Sequence, residues 1–248
     1  LNTTQMIDSE GNIDYDKISK FSTSDYAGII SYAFRPGGNQ KLSVGINAKI
    51  VYRNIGKFAN GFGFGFDVGA IYRVDSGYQF GAMLRDATTT VNFWSINQKE
   101  LSAVVNGEEF NPAPKDKMEI TMPKLNLGVS KNFEINRDLE LLPEAGLNVD
   151  FAKTAAVIST DFASISPYLG AELSFQKMIF VRAGLNRFQT VTDIEDLKRK
   201  VSMQPSAGIG IKYKGLTLDY AITNTGIGGS NYFSNFFSLK LDMRDFRY

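Results

Sequence analysis

The stretch GFGFGFDVGAIYRV, residues Gly61 to Val74, alternates between two kinds of side chain. Every second residue is apolar or aromatic, and the positions between them hold Gly, Asp67 and Arg73, with Ile71 as the exception. A period of two predicts a β-strand, because successive side chains leave opposite faces. A soluble strand usually has about 5–6 residues, whereas a strand that crosses a bilayer needs roughly 9–11. The stretch therefore predicts a barrel wall with lipid on its apolar face and a polar or crowded lumen on the other.

The composition of the 248 residues excludes several kinds of chemistry. The 27 Lys and Arg nearly balance the 26 Asp and Glu, which gives no argument for a nucleic-acid partner. The chain has no cysteine and no histidine, so it lacks disulfides, thiolate chemistry and the commonest general base and metal ligand. No apolar run approaches the roughly 18 residues of a membrane helix. We expect no catalytic residues, no cofactor and no metal.

The sequence from Ser24 to Met243 contains about eleven strand-like segments by pattern counting. The connections between them alternate between short turns and longer breaks, the longer ones following Asn54, Arg85, Phe151, Arg187 and Thr223. Outer-membrane barrels have short periplasmic turns and longer extracellular loops. We therefore predict an all-β fold, a transmembrane antiparallel β-barrel of the cell outer membrane, with a periplasmic C-terminus and extracellular long loops.

The barrel is predicted as a single domain over residues 1–248. Residues 1–21 are polar and irregular and lack the features of a signal peptide, so they are expected to form an extracellular segment. Bacterial single-chain barrels usually have an even number of strands. The odd count predicts that an odd number of N-terminal strands is missing from this sequence.

The alternation assigns residues to the two faces of the wall. The predicted lipid-facing residues are Phe62, Phe64, Phe66, Ile46, Ile209 and Leu218. Aromatic residues near the short turns are predicted to form a periplasmic girdle, namely Tyr32, Phe34, Tyr72, Tyr78, Phe80, Phe133, Phe175 and Tyr213.

The predicted lumenal face carries many charged residues, including Lys49, Asp67, Glu172, Arg182 and Asp219. They could line a polar conduit or form a network of paired charges that holds the barrel's shape. We favour the paired network, because buried charges must be paired or hydrated. Acid–base catalysis by carboxylates such as Glu144 is disfavoured, because no sugar-binding aromatics accompany them.

The repeated glycines of the opening stretch could suggest a nucleotide-binding loop, but the helix that such a loop requires is lacking. Lumen-facing glycines are the better interpretation, because they leave room for a plug, a bent wall or a ligand.

Two long connections carry candidate contact residues. Phe93, Trp94 and Phe110 lie in the predicted loop 87–116, and Phe188 begins the break 188–202. Exposed aromatics on long loops are candidate anchors for a partner protein, although they could equally fold back over the barrel mouth. Thr192 and Glu195 have capping-box spacing, which predicts a short surface helix over Asp193–Lys200, with a solvated loop as the alternative.

Three segments carry a family resemblance. LSVGINAKIVYRNIGKFANGFGFGFDVGAIYRV, FGAMLRD and the ending SAGIGIKYKGLTLDYAITNTGIGG…FFSLKLDM resemble the PorV/PorQ family of the type IX secretion system, whose barrels are related to FadL. The resemblance implies about 14 strands in the full protein, and it implies that the N-terminal portion carrying the family's inner plug segment is missing from this sequence. It also implies a non-enzymatic adaptor, shuttle or attachment component. The implied partners are outer-membrane lipid, translocon or cell-surface attachment subunits, and the C-terminal signal domains of secreted cargo proteins. The alternatives are a FadL-like transporter of hydrophobic small molecules and a purely structural barrel subunit.

Overall fold

The computed structural model describes residues 21–98, 103–105, 108–110, 117–192, 199–226 and 232–243. Strands and turns account for nearly all of them, and a 3-10 turn covers Pro36–Gly38. Within these ranges, no helix is long and apolar enough to cross a membrane.

The strands, in chain order, are β1 (Thr23–Phe34), β2 (Leu42–Ile55), β3 (Ala59–Arg73), β4 (Tyr78–Arg85), β5 (Thr90–Ile96), β6 (Ala103–Val105), β7 (Glu108–Phe110), β8 (Met118–Thr121), β9 (Lys124–Lys131), β10 (Phe133–Glu134), β11 (Leu139–Asp150), β12 (Ile158–Ser159), β13 (Ser164–Phe175), β14 (Ile179–Thr192), β15 (Arg199–Tyr213), β16 (Leu216–Asn224) and β17 (Phe233–Leu241).

Eleven of these strands form the main hydrogen-bonded order β1-β2-β3-β4-β9-β11-β13-β14-β15-β16-β17. Every pair from β3 onward is antiparallel. β5, β8, β10 and β12 attach beside this order and complete a sheet of 15 strands, whereas β6 and β7 pair only with each other. The predicted all-β antiparallel fold and the predicted count of about eleven main strands are confirmed.

The chain divides into two compact units. The first comprises residues 1–32, 46–67 and 86–123, and it is centred on the pairing of the first half of β3 with β5 and of β5 with β8. The second comprises residues 33–45, 68–85 and 124–248, and it holds the second half of β3 together with β4 and the strands from β9 to β17.

Burial is inverted relative to a soluble protein. Among the described residues, no apolar side chain is buried, and the buried polar or charged residues are Asp67, Asp86, Thr90, Asn92, Ser164, Ser166 and Ser174. Along β3 the two classes alternate: Phe64 is 48% exposed, whereas Asp67 is 4% exposed. Two names are used below: the apolar face is the side of the sheet that carries Phe62, Phe64 and Phe66, and the polar face is the opposite side.

The break predicted after Arg85, residues 86–117, is wrong in part, because β5, β6 and β7 lie within it. Asp86 and Thr89 adopt positive φ angles of 52° and 58°, and this local kink ends β4. Ala87 N donates to Phe66 O at 2.8 Å, so the chain stays beside β3 and resumes pairing with it at Val91. A kink of a few residues interrupts the alternation of side chains without ending the sheet. For this reason the alternation pattern predicts the end of the strands too early.

The break predicted over residues 188–202 is also too wide. β14 continues to Thr192 and β15 begins at Arg199, with a register shift between Asn186 and Gln189. Arg187 has a φ of 52° at this shift. The predicted helix over Asp193–Lys200 is wrong at its end, since Arg199 and Lys200 belong to a strand, and residues 193–198 lie outside the described residues.

Candidate functional site

In the first unit, side chains from β5 cover the glycines of β3 on the polar face. β5 pairs with β3 so that Gly61 faces Trp94 and Gly63 faces Asn92. A Cβ added at Gly61 would lie 3.0 Å from the indole, and Cβ atoms at Gly63 and Gly65 would collide with Asn92 and Thr90. The glycines are therefore the spaces into which the β5 side chains fit, so the room predicted for a plug, a bent wall or a ligand is taken at Gly61, Gly63 and Gly65 by side chains of the neighbouring strand.

Beside these glycines, one ammonium joins two buried carboxylates. Lys49 Nζ lies 2.7 Å from Asp67 Oδ1 and 2.5 Å from Asp86 Oδ1, and all three side chains are at most 10% exposed. Asp67 also accepts a hydrogen bond from Asp86 N at 2.8 Å, and Asp86 accepts one from the Thr90 hydroxyl. The cluster therefore holds the positive-φ kink at Asp86, which precedes β5.

Trp94, the only tryptophan of the chain, reports on this contact. Its Nε1 donates to Glu119 Oε2 at 2.9 Å, so the indole is held between β3 and β8. We expect Gly61→Val to displace the ring, which shifts its emission to longer wavelength and increases quenching by iodide.

The matched control for this variant is Gly81→Val, because nothing lies within 4 Å of a Cβ added at Gly81. The control should leave the Trp94 emission unchanged. An unaltered spectrum in Gly61→Val would contradict the described position of the indole.

In the second unit, Tyr168 of β13 lies across glycines of two neighbouring strands. Gly128, Gly146 and Tyr168 occupy one row of β9, β11 and β13. The Tyr168 hydroxyl is 3.0 Å from Glu144 Oε1 and 3.3 Å from the carbonyl oxygen of Leu127. A side chain at Gly146 would collide with the tyrosine ring and with the Leu127 carbonyl, so this position accepts only glycine without rearrangement.

Ion pairs connect other strands of the polar face. Arg182 Nε lies 2.5 Å from Glu172 Oε2, and Arg182 Nη1 lies 2.5 Å from Asp219 Oδ1. The arginine side chain also passes over Gly210 of β15. Lys124 and Asp150 form a further pair at 3.1 Å. These contacts confirm the interpretation of the polar-face charges as a paired network for the residues named here.

A buried serine organises the connection between β11 and β13. Ser164 is fully buried; its hydroxyl donates to the carbonyl of Ala152 at 2.8 Å and accepts from Thr154 N at 2.8 Å. Ser159 Oγ lies 2.8 Å away. No sequence signal distinguishes this serine from the other serines of the chain, and sequence reasoning missed it.

The short turns carry exposed ion pairs. Lys41 Nζ contacts Asp75 at 2.6 Å, and this hydrogen bond and charge raise the pKa of the lysine above its ordinary value. The exposed Lys177 forms a similar pair at 3.0 Å with Glu140 of β11, which is partly buried. Pairs of this kind contribute little to stability because water screens them.

Every residue that the sequence predicts to be lipid-facing is exposed on the apolar face. Phe62, Phe64 and Phe66 lie together on β3, and exposure extends to the three residues on other strands, namely Ile46, Ile209 and Leu218. The eight predicted girdle aromatics are exposed as well, as Tyr72 and Phe80 illustrate by facing each other across β3 and β4.

The four predicted contact residues do not form one surface. Phe93 and Trp94 lie on a strand rather than in a loop, and they leave opposite faces of β5. Phe188 is half-buried at the register shift of β14, where its carbonyl accepts from Val157 N at 3.2 Å. Phe110 ends β7, and its side chain lies outside the described residues.

Comparison with known proteins gives little information about family. No family model matches the chain, and no curated protein matches it significantly. Among solved structures, the chain is similar to the beta domain of the Bordetella autotransporter Brka. The match has 13% sequence identity and a TM-score of 0.49, and it covers 89% of this chain and 91% of that one.

Proposed function

We propose that the sheet is the wall of a β-barrel in the cell outer membrane, with its apolar face in hydrocarbon. The inverted burial is the observation that supports this proposal: polar side chains fill the buried positions while large apolar ones are exposed. In water, such a surface would be an aggregation hazard. In a bilayer it is the lowest-energy arrangement, because the strands satisfy one another's backbone groups.

In this proposal the short turns are periplasmic and the longer connections are extracellular. The turns after β3, β13 and β15 cover residues 74–77, 176–178 and 214–215, in keeping with the usual asymmetry of outer-membrane barrels. The longer connection predicted after Asn54 is wrong, because β2 continues to Ile55 and β3 begins at Ala59, which leaves only residues 56–58 between them. The C-terminus follows β17, which begins after a longer connection, so it is assigned to the periplasm.

Within the membrane, we propose a non-enzymatic role as an adaptor or attachment component of type IX protein secretion. The support is the resemblance of three sequence segments to the PorV/PorQ family. The proposed partners are translocon or attachment subunits and secreted cargo proteins. A pull-down from native membranes should recover such subunits, and recovery of the chain alone would contradict this role.

Transport of hydrophobic small molecules, as in FadL-like barrels, is the rival proposal. It requires an apolar pocket on the polar face. The described polar face instead carries ion pairs, such as Lys124 with Asp150 and Arg182 with Glu172, which favours the adaptor role over transport.

The membrane proposal makes a depth-dependent prediction. An arginine near the bilayer midplane costs about 2–4 kcal/mol, and this cost falls to about 0–1 kcal/mol near the interfaces. Phe66 lies near the middle of the apolar stretch of β3 and Tyr72 lies close to its end. We therefore expect Phe66→Arg to lower the free energy of unfolding in vesicles much more than Tyr72→Arg does.

Urea titration of the two variants in phospholipid vesicles measures this difference. Equal and negligible costs for both substitutions would show that the apolar face is in water, and the membrane proposal would then be wrong.

A further inference from the structure

The apolar face continues without interruption from β3 onto the β5–β8 hairpin. On this face Phe62 pairs with Phe93, and Phe93 pairs with Met118. One row closer to the middle of β3, Phe64 pairs with Val91, and Val91 pairs with Ile120. Phe93 is 51% exposed and Met118 is 54% exposed, as much as Phe62 on β3.

The next row on β3 and β5 is polar. Asn60 pairs with Ser95, and both are exposed. Asn60 Oδ1 accepts a hydrogen bond from Asn54 Nδ2 at 2.6 Å and another from the Tyr52 hydroxyl at 3.2 Å. The Tyr52 ring therefore lies on the apolar face while its hydroxyl reaches the polar row. Tyrosine with one apolar and one hydrated end is typical of a membrane interface.

The length of the apolar stretch agrees with this boundary. Phe62 to Tyr72 covers eleven positions of β3, ending at the aromatic row near the short turn. A tilted strand needs about 9–11 residues to cross the hydrocarbon region of a bilayer. The row that contains Phe62, Phe93 and Met118 is thus the last one that hydrocarbon reaches.

The hairpin of β5 and β8 cannot easily rotate so that its apolar face points in another direction. Its polar side is fixed to β3 by Trp94, Asn92 and Thr90 over the glycines, and the cluster around Lys49 fixes the kink at which it begins. A rearrangement that hid Phe93 would expose these buried polar contacts, which is costly.

We propose that β5 and β8 belong to the membrane wall and that acyl chains of the outer leaflet cover Phe93, Met118 and Ile120. The row of Asn60 and Ser95 marks the boundary with the lipid headgroups. This inference rests on the proposed membrane location. It assigns lipid, rather than a partner protein, as the contact of Phe93.

Single-cysteine labelling tests the inference directly, because the chain has no native cysteine. Four variants are made in the full chain: Phe64→Cys as the wall reference, Phe93→Cys, Met118→Cys and Ser95→Cys. Each is labelled with a nitroxide in phospholipid vesicles, and its collision rates with oxygen and with a water-soluble nickel chelate are measured. Oxygen, which concentrates in hydrocarbon, should dominate at positions 64, 93 and 118, and the nickel chelate should dominate at position 95.

The other outcomes are distinguishable. Nickel-dominated collisions at 93 and 118, with oxygen dominating at 64, would overturn the inference and leave the membrane proposal intact. Protection of 93 and 118 from both reagents would indicate burial against a second copy of the chain and would also overturn it. Nickel-dominated collisions at position 64 would contradict the membrane location itself.

Discussion

Replacing Lys49 by Met is expected to lower the free energy of unfolding by about 3–5 kcal/mol, the typical cost of removing one partner from a buried ion pair. The substitution leaves Asp67 and Asp86 buried without their shared cation. Both carboxylates would have to take up a proton or draw in water. Because Asp86 forms the kink before β5, the loss should also release Trp94, and its emission should move to longer wavelength.

The control is Lys41→Met, which removes the exposed pair with Asp75 in a short turn. Water already screens this pair, so the urea midpoint in vesicles should not move measurably. If the two variants have the same midpoint, the cluster around Lys49 does not stabilise the chain.

Replacing Gly146 by Ala should lower the free energy of unfolding of the second unit by about 1–3 kcal/mol, the usual cost of overpacking a filled site. The new methyl group would meet the Tyr168 ring and the backbone carbonyl of Leu127. The ring can rotate away only by giving up its hydrogen bond to Glu144, and the carbonyl can move only with β9.

Gly81→Ala is the matched control for this second prediction. Gly81 lies in the same row of the polar face as Gly128 and Gly146, but nothing lies within 4 Å of its added Cβ. Its unfolding midpoint should stay unchanged or rise slightly, since alanine restricts the unfolded chain. A Gly146→Ala variant as stable as Gly81→Ala would contradict the described packing of Tyr168.

The sequence predicts the faces of the sheet better than the ends of its strands. Alternation along Gly61–Val74 assigns Phe64 to the exposed face and Asp67 to the polar face, because a period of two follows directly from strand geometry. The same rule fails at Asp86 and Arg187. At each of these residues a positive φ angle produces a local irregularity, and this irregularity shifts the alternation of side chains. The sequence pattern therefore predicts a loop at Phe93, although Phe93 continues the row that contains Phe62.

The sequence does not predict which side chains contact each other across neighbouring strands. Charge alternation identified Arg182, Glu172 and Asp219 as polar-face residues, but only strand register places one arginine between two carboxylates. The seating of Tyr168 over Gly146 likewise depends on which strands become neighbours. Sequence separation gives no information on such contacts, because antiparallel register is set by the turns and by the pattern of both strands.

The absence of buried apolar side chains among the described residues has a thermodynamic consequence. The heat capacity of a soluble protein rises on unfolding mainly because its core becomes hydrated. In the proposed membrane location, the corresponding apolar surface is covered by lipid or detergent instead. When the unfolded chain stays bound to amphiphile, calorimetry should therefore record a small heat capacity increment and a nearly straight temperature dependence of stability. When urea releases the chain into water, the increment should become large.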